Sequence, residues 1–204
     1  VRLQGGLGNQ LFQYAAGKAL ATRLNKPFKL ETITSLQNDK RRHIALQDLQ
    51  IEFELASKKE IKEFVQFPSL YRHKAGFFKK GNNIYREPHF HFDENFSRIK
   101  DPVFLDGFWQ SPLYFKDIET ILRQDFTINP ELIKNVLVKG KELESKPSIA
   151  VHIRRGDFLD PKLKSYHGVL SAFYFEKAIG IIKEKVPAAC VYFFSDDIEW
   201  VKQN

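Results

Sequence analysis

The sequence predicts an α/β protein with mostly parallel sheets, organised as two consecutive units. Short apolar segments alternate with helical segments along the chain, which is typical of strands connected by helices in parallel sheets. Lys146–Pro147 interrupts this alternation, and a second series of strand and helix follows it. We therefore predict one unit at residues 1–146 and a second at residues 147–204. The second unit offers only two strands, so we expect it to be incomplete.

The first unit opens with a strand, a glycine turn and a helix. Residues 1–4 form the strand, and apolar residues then recur at four-residue spacing from Leu11 until Asn25 ends the helix. Residues 28–30 form a second strand. This order is a β-loop-α-β start.

The rest of the first unit is less regular. Ser57 begins a capping-box pattern that opens a short helix. Residues 70–99 are aromatic and basic without a clear period, which indicates loops and short strands. A strand follows at 103–108, a helix at 111–123 with Pro in its first turn, and another helix at 130–145.

The second unit begins with a strand at residues 148–153. A loop that carries Pro161, Tyr166 and Gly168 is expected next, and Ser171 then opens a helix. The following strand, residues 189–194, is apolar throughout and is expected to be buried on both faces. A last helix, capped by residues 195–197, runs to Asn204.

Composition and charge narrow the class of protein. Of 204 residues, 43% are hydrophobic and 14% aromatic, which indicates a packed core. A single cysteine, Cys190, excludes an internal disulfide, and no segment is apolar enough for a membrane helix or a signal peptide. We expect a soluble, intracellular protein. The chain begins at Val1 and contains no Met, so we also expect part of the natural chain to be missing.

The net charge of +7 favours anionic partners such as nucleic acid, phosphorylated ligands or an anionic membrane surface. Basic runs occur at residues 40–42 and 79–80, but acidic residues are interspersed along the chain. A solvated surface therefore explains most of the excess.

The first candidate site is the segment Gly5–Gln10 between strand and helix. Glycines such as Gly6 and Gly8 let the backbone approach a ligand, and a helix N-terminus offers unpaired N–H groups to an anion. Asn9 and Gln10 add neutral donors. The spacing matches neither a Walker loop nor a dinucleotide fingerprint, and a tight structural turn is the alternative.

The second candidate site is the segment His152–Phe158 at the carboxyl end of a strand, where open α/β sheets bind ligands. Arg154 and Arg155 can clamp a diphosphate and stabilise charge on a leaving group, and Asp157 can orient one of them. An exposed salt-bridged turn is the alternative. An Arg-Gly-Asp adhesion role is disfavoured because the chain has no secretory segment.

Other residues give weaker signals. Ser195 and Asp196 could bind the base or ribose of a nucleotide, but a plain helix cap explains them equally well. His89 and His91 lie on one face of any strand there, but further metal ligands at a recognised spacing are missing, so we predict no metal site. Four residues either stack on a sugar ring or pack the core: Trp109, Gln110, Tyr114 and Phe115. No nucleophile motif occurs.

Five segments in a fixed order resemble the α-1,2-fucosyltransferase family, glycosyltransferase family 11, over nearly the whole chain. The segments are GGLGNQLFQYA at 5–15, GFWQS and YF within 107–115, HIRRGDF at 152–158, HGV at 167–169 and FSD at 194–196. The resemblance implies inverting, metal-independent transfer of L-fucose from GDP-β-L-fucose to a galactoside hydroxyl of a glycan, without a further cofactor. It also implies the GT-B type of fold, with the nucleotide between two Rossmann-like halves.

The resemblance also implies roles for residues. Arg154 and Arg155 would hold the diphosphate, His152 would lie near phosphate or guanine, and Asp157 would fix the arginines. The glycine-rich loop with Asn9 would face the phosphates and fucose from residues 1–146, the acceptor side, which also carries Trp109, Gln110 and Tyr114. Donor binding would extend to Ser195 and Asp196 in residues 147–204. The general base stays open between Asp157 and His167.

Several alternatives stay open at this point. A fucosyltransferase of another linkage or a protein O-fucosyltransferase would use the same boxes. A nucleic-acid-binding module would use the aromatic stretch 64–96, although no RNP, KH or helix-turn-helix pattern supports it. Family members continue past the Ser-Asp segment, so we expect a fragment. The expected compartment is the bacterial cytoplasm, with peripheral contact to an anionic membrane, a lost N-terminal anchor and the oligomeric state left open.

Overall fold

The computed structural model describes residues 1–36, 42–65, 83–134 and 136–204, with the side chains of residues 162, 163 and 167 outside this description. It confirms the predicted mixture of helices and parallel strands. The chain divides into two compact units, residues 1–132 and 133–204.

A parallel sheet forms the centre of the first unit. Strand β1 (Ile84–Arg86) pairs in parallel with strand β2 (Phe104–Asp106). The N–H of Arg2 donates to the carbonyl of Leu105 at 3.0 Å and thereby continues the sheet beyond β2. Parallel bridges then join Arg2 to Glu31, and residue 30 to residue 55. The predicted strands at 1–4 and 28–30 are thus present only as single bridges.

Helix α1 (Leu7–Leu24) follows the glycine turn as predicted. It ends at Asn25, which adopts a left-handed φ of 51°. The helix is buried on two faces. Tyr14, Ala15 and Ala19 pack in one apolar cluster, while Ala16 and Leu20 pack in another with Phe96, Leu105, Trp109 and Tyr114.

Two shorter helices complete the first unit. Helix α2 (Lys58–Phe64) begins at the predicted capping box of Ser57 and Glu60. Helix α3 (Glu119–Asp125) covers only the end of the helix expected at 111–123. Two 3₁₀ turns precede it, because Phe115 between them leaves the helical region at φ −139° and packs against Phe12 at 5.9 Å.

The second unit begins earlier than residue 147. Helix α4 (Pro130–Ile133) lies at the division, and helix α5 (Leu137–Glu144) belongs to the second unit. Lys139 of α5 places its Nζ 5.9 Å from the ring centre of Tyr192. The expected helix over 130–145 is therefore two helices, and α5 contacts the sheet that follows it.

Strands β3 (Ser148–Ile153) and β4 (Cys190–Ser195) pair in parallel along six residue pairs. The apolar face of β3 packs with Ala189 and with residues of helices α7 (Ala172–Lys185) and α8 (Ile198–Gln203). The expectation that the second strand is buried on both faces is wrong: Phe193 and Phe194 are 42% and 49% exposed. Each strand of this two-stranded sheet is an edge.

The loop expected around Pro161 is instead helix α6 (Pro161–His167). Proline is favoured at the first helical position, where its missing N–H costs no hydrogen bond. Gly168 follows the helix at a φ of 73°, the left-handed conformation that commonly ends helices. Among the described helices, none is both long enough and apolar enough to cross a membrane.

We expect Phe96→Ala to lower the free energy of unfolding by about 3–5 kcal/mol, because the ring is buried against Trp109 and Tyr114. Phe90→Ala should change it by less than about 0.5 kcal/mol, since Phe90 is 69% exposed. Urea unfolding followed by circular dichroism measures both variants. An equal decrease in the free energy of unfolding in both variants would contradict this assignment of the core.

Candidate functional site

The loop after β3 is held by a carboxylate that follows β4. Asp196 Oδ1 accepts a hydrogen bond from the backbone N–H of Arg155 at 2.8 Å. A Cβ at position 156 would lie 2.8 Å from Asp196 Oδ2, so this approach requires glycine. The backbone hydrogen bonds hold the pKa of the Asp196 carboxyl below its ordinary value.

Arg154 is the guanidinium that this loop presents to solvent. Its Nε and Nη2 atoms donate to the two carboxylate oxygens of Asp157 at 3.1 and 2.8 Å, and its guanidinium carbon lies 4.4 Å from the ring centre of Phe158. The side chain is nevertheless 42% exposed. Two of its five N–H donors are used by Asp157, which leaves the others for a ligand. The hydrogen bonds that Arg154 donates to Asp157 raise the pKa of its guanidinium, so the group stays charged.

Arg155 is engaged inside the unit. Its Nε donates to Asp197 Oδ2 at 3.0 Å, and its guanidinium carbon lies 4.1 Å from the ring centre of Trp200. Asp197 also caps α8 by accepting the N–H of Trp200 at 3.2 Å. The sequence predicted that both guanidiniums clamp a diphosphate. The structure presents Arg154 to solvent and uses Arg155 to join the loop to α8.

The remaining predicted residues of this unit have different environments. His152 lies on the exposed face of β3, beside Phe194 in the register of the sheet. Ser195 Oγ accepts the N–H of Asp197 at 2.9 Å and so supports the helix cap, which was the simpler explanation for this residue. The side chain of His167 lies outside the described residues.

The glycine-rich loop of the first unit leads into the N-terminus of α1. Gly5 adopts a left-handed φ of 77°, and Gly6 precedes the helix without providing a side-chain cap. A helix leaves the N–H groups of its first turn without intrahelical partners, and this end carries partial positive charge. Gly8 adds no side chain there. The loop therefore has the geometry of an anion contact.

Gln10 holds this loop from inside the protein. The side chain is fully buried; its Nε2 donates to the carbonyls of Gly5 and His43 at 3.0 and 2.8 Å, and its Oε1 accepts the N–H of Ala45 at 2.9 Å. Both amide hydrogens are therefore used. This geometry gives Gln10 the role of shaping the loop, rather than the direct donor contact that the sequence predicted.

Arg42 adds a positive charge beside the glycine turn, and the sequence prediction missed it. Its Nη1 would lie 3.4 Å from a Cβ at position 6, an ordinary contact distance that places the guanidinium beside the start of α1. A guanidinium and a helix N-terminus both favour an anion. The basic run at 40–42 was the available signal, although residues 40 and 41 lie outside the described residues.

The predicted acceptor-side residues separate into one exposed and two buried side chains. Gln110 is exposed, and its Nε2 donates to Asn9 Oδ1 at 2.7 Å. Trp109 and Tyr114 are 0% and 4% exposed and pack against Phe96. The structure thus corrects the prediction for these two: they pack the core, and neither ring can stack on a sugar.

Glu87, which no motif signalled, fixes the turn after β2. Its Oε2 and Oε1 accept the backbone N–H groups of Phe108 and Trp109 at 2.6 and 3.0 Å. Trp109 adopts a φ of 57°, which is rare for a bulky residue, and consecutive N–H groups in such a turn form an anion-binding nest. A Cβ at Gly107 would lie 2.4 Å from the Cβ of Glu87.

Among the described residues, no group of three or more His, Cys, Asp and Glu side chains could hold a metal ion. The nucleic-acid alternative rested on residues 64–96, of which 66–82 lie outside the described residues.

Known proteins resemble this chain along its whole length. The model of glycosyl transferase family 11 matches residues 1–204. An α-1,2-colitosyltransferase from Escherichia coli is 32% identical over 211 residues, which covers 99% of this chain and 70% of the relative. The O-antigen biosynthesis glycosyltransferase WbnK from Escherichia coli is 30% identical over 222 residues, with 99% and 74% covered.

More distant relatives come from mammals. A galactoside α-(1,2)-fucosyltransferase 1 from Sus scrofa is 28% identical over 127 residues, which covers 58% of this chain and 35% of the relative. No solved structure matches the chain significantly.

We expect Asp196→Asn to accelerate hydrogen exchange of the Arg155 amide by about tenfold or more, because a charge-assisted hydrogen bond to that amide is lost. Exchange followed by NMR at neutral pH measures this. Glu199→Gln is the matched control, since its carboxylate pairs with Lys202 at 2.7 Å and not with the loop.

The same interaction has a defined pH dependence. Folding lowers the pKa of the Asp196 carboxyl below its ordinary value of 3.8. The stabilisation that this carboxylate gives to the folded protein is therefore present at pH values above 3.8, and it is lost as the pH falls from 3.8 through the lowered pKa. Unchanged exchange in Asp196→Asn would contradict the role of this carboxylate.

Proposed function

The chain belongs to glycosyl transferase family 11, and from this premise we propose that it transfers L-fucose from GDP-β-L-fucose to a galactoside hydroxyl, in α-1,2 linkage and with inversion. The family makes it a glycosyltransferase that uses a nucleotide sugar and a glycan acceptor. The names of two relatives support the linkage, since one is an α-1,2-colitosyltransferase and another a galactoside α-(1,2)-fucosyltransferase.

The observation that best supports this proposal is the charge, exposure and fixed orientation of the Arg154 side chain. It is a permanently charged, half-exposed guanidinium at the carboxyl end of a parallel strand, and Asp157 holds it in one orientation. A diphosphate leaving group needs positive charge as its bond to the sugar breaks, and a preoriented guanidinium supplies that charge without reorganisation. We assign this role to Arg154, without a metal ion.

In the reaction, an acceptor oxygen attacks the anomeric carbon of fucose from the face opposite the diphosphate. One direct displacement inverts the configuration, and GDP leaves. The acceptor hydroxyl passes its proton to a general base. Both carboxylate oxygens of Asp157 accept hydrogen bonds from Arg154, so we assign Asp157 to positioning and keep His167 as the proposed base.

Further residues are proposed to contact the donor because they are exposed or provide positive charge. His152, exposed on β3, is the proposed contact to phosphate or guanine. Asn9, Arg42 and the N-terminus of α1 form a second region suited to a phosphate or a fucose hydroxyl. We propose a GT-B type of fold, in which residues 133–204 supply the main donor contacts and residues 1–132 carry the acceptor side together with the glycine-rich loop.

A colitosyl donor is the second candidate, because a relative that covers 99% of this chain is named for that group. Colitose is fucose without its 3-hydroxyl. An enzyme that hydrogen-bonds this hydroxyl discriminates strongly against the sugar that lacks it, whereas an enzyme with an apolar contact there discriminates weakly. The two donors are therefore separable by competition.

We expect GDP and GDP-fucose to bind saturably in calorimetric titrations that contain excess EDTA, because protein cations hold the diphosphate. GDP-mannose should bind more weakly than GDP-fucose, and GDP-colitose tests the second candidate in the same series. Binding that disappears in EDTA and returns with Mg²⁺ would contradict metal independence. Absence of binding by every donor would contradict the proposed donor class.

We expect Arg154→Lys to lower turnover by about 100-fold or more while the circular dichroism spectrum stays unchanged. Lysine keeps the charge but cannot donate the paired hydrogen bonds of a guanidinium. Arg98→Lys is the matched control, since Arg98 is exposed and contacts only the amide oxygen of Asn95 among the hydrogen bonds described. Near-normal turnover in Arg154→Lys would remove this residue from the mechanism.

A further inference from the structure

The first unit carries an exposed aromatic side chain at the carboxyl edge of its parallel sheet. Phe90 follows β1 and is 69% exposed, the largest exposure of any aromatic residue described in this unit. Its ring centre lies 6.5 Å from that of Phe108, which follows β2. Ligands of parallel α/β sheets bind at the carboxyl ends of the strands, so these rings stand where a ligand is expected.

Hydrogen bonds from side chains hold the backbone segments that carry these rings. Tyr114 Oη accepts the N–H of Asp93 at 2.9 Å and donates to the carbonyl of His91 at 3.4 Å, while Glu87 holds the N–H of Phe108. Phe90 and Phe108 therefore do not stand on a free loop. They are presented by two anchored turns, which lowers the entropy cost of binding a ligand there.

Polar side chains lie on the same two segments as the rings. The imidazoles of His89 and His91 stack with their centres 3.5 Å apart, and His89 Nδ1 lies 2.9 Å from the carbonyl oxygen of His91. A carbonyl only accepts, so this contact places the hydrogen on Nδ1, and Nε2 is left for a hydrogen bond to a ligand. On the other side, the exposed Gln110 amide contacts Asn9.

We infer that Phe90, Phe108 and His89 form a subsite for a pyranose ring of the acceptor, an inference that rests on the proposed function. A β-galactoside has one face of C–H groups, at positions 3, 4 and 5, which suits an exposed aromatic ring. Its hydroxyl groups require acceptors and donors at the edge of that ring, which the imidazole and the Gln110 amide provide. This subsite replaces the role that the sequence gave to Trp109 and Tyr114.

The test uses saturation-transfer NMR of the full chain with methyl β-D-galactopyranoside. We expect the strongest transfer at protons H3, H4 and H5 of the sugar. Phe90→Ala should weaken binding about tenfold, since the apolar area of one ring face corresponds to about that change in dissociation constant. The matched control is Phe173→Ala, because Phe173 is 65% exposed and lies on α7 in the other unit.

The outcomes separate this inference from the donor proposal. Binding that falls in Phe90→Ala and stays unchanged in Phe173→Ala supports the subsite, and GDP-fucose should bind both variants like the wild type in calorimetry. Equal transfer in Phe90→Ala and wild type, or no transfer to the galactoside in wild type, overturns it. If the galactoside binds through Phe90 while GDP-fucose does not bind at all, the donor proposal fails and the subsite stands.

Discussion

One interaction recurs at the two places where the chemistry of this protein is expected. In each unit, a carboxylate that directly follows one strand binds the backbone of the turn that follows its parallel neighbour. Glu87 after β1 binds the N–H groups of Phe108 and Trp109, and Asp196 after β4 binds that of Arg155. Parallel neighbours end at one edge, so a short acidic side chain can reach across. The turn that it holds then presents one exposed polar side chain, Gln110 or Arg154.

The glycines beside these turns follow from the same constraint. A side chain at Gly107 would approach Glu87 Oε2 to 2.8 Å, and one at Gly156 would approach Asp196 Oδ2 to the same distance. Glycine is therefore needed because a carboxylate occupies the space. In the structure these two glycines accommodate a side chain of the protein itself.

The sequence predicted local features better than pairings between distant segments. Periodicity and capping predicted α1 and the start of α2, and an apolar run predicted β3. The loop expected around Pro161 was wrong, because proline at the first helical position is compatible with a helix. The pairing of Glu87 with residues 21 and 22 positions further along left no local signal. The same limit applies to Gln10, whose buried amide contacts the backbone near residue 44.

The two tryptophans of the sequence lie one in each unit. The indole of Trp109 is fully buried beneath the turn held by Glu87, and that of Trp200 stacks on the guanidinium of Arg155. The protein therefore carries two intrinsic fluorophores in unlike surroundings, one apolar and one beside a cation. Replacing either tryptophan by phenylalanine leaves a single fluorophore. Its emission wavelength and its quenching then report ligand binding to one unit alone.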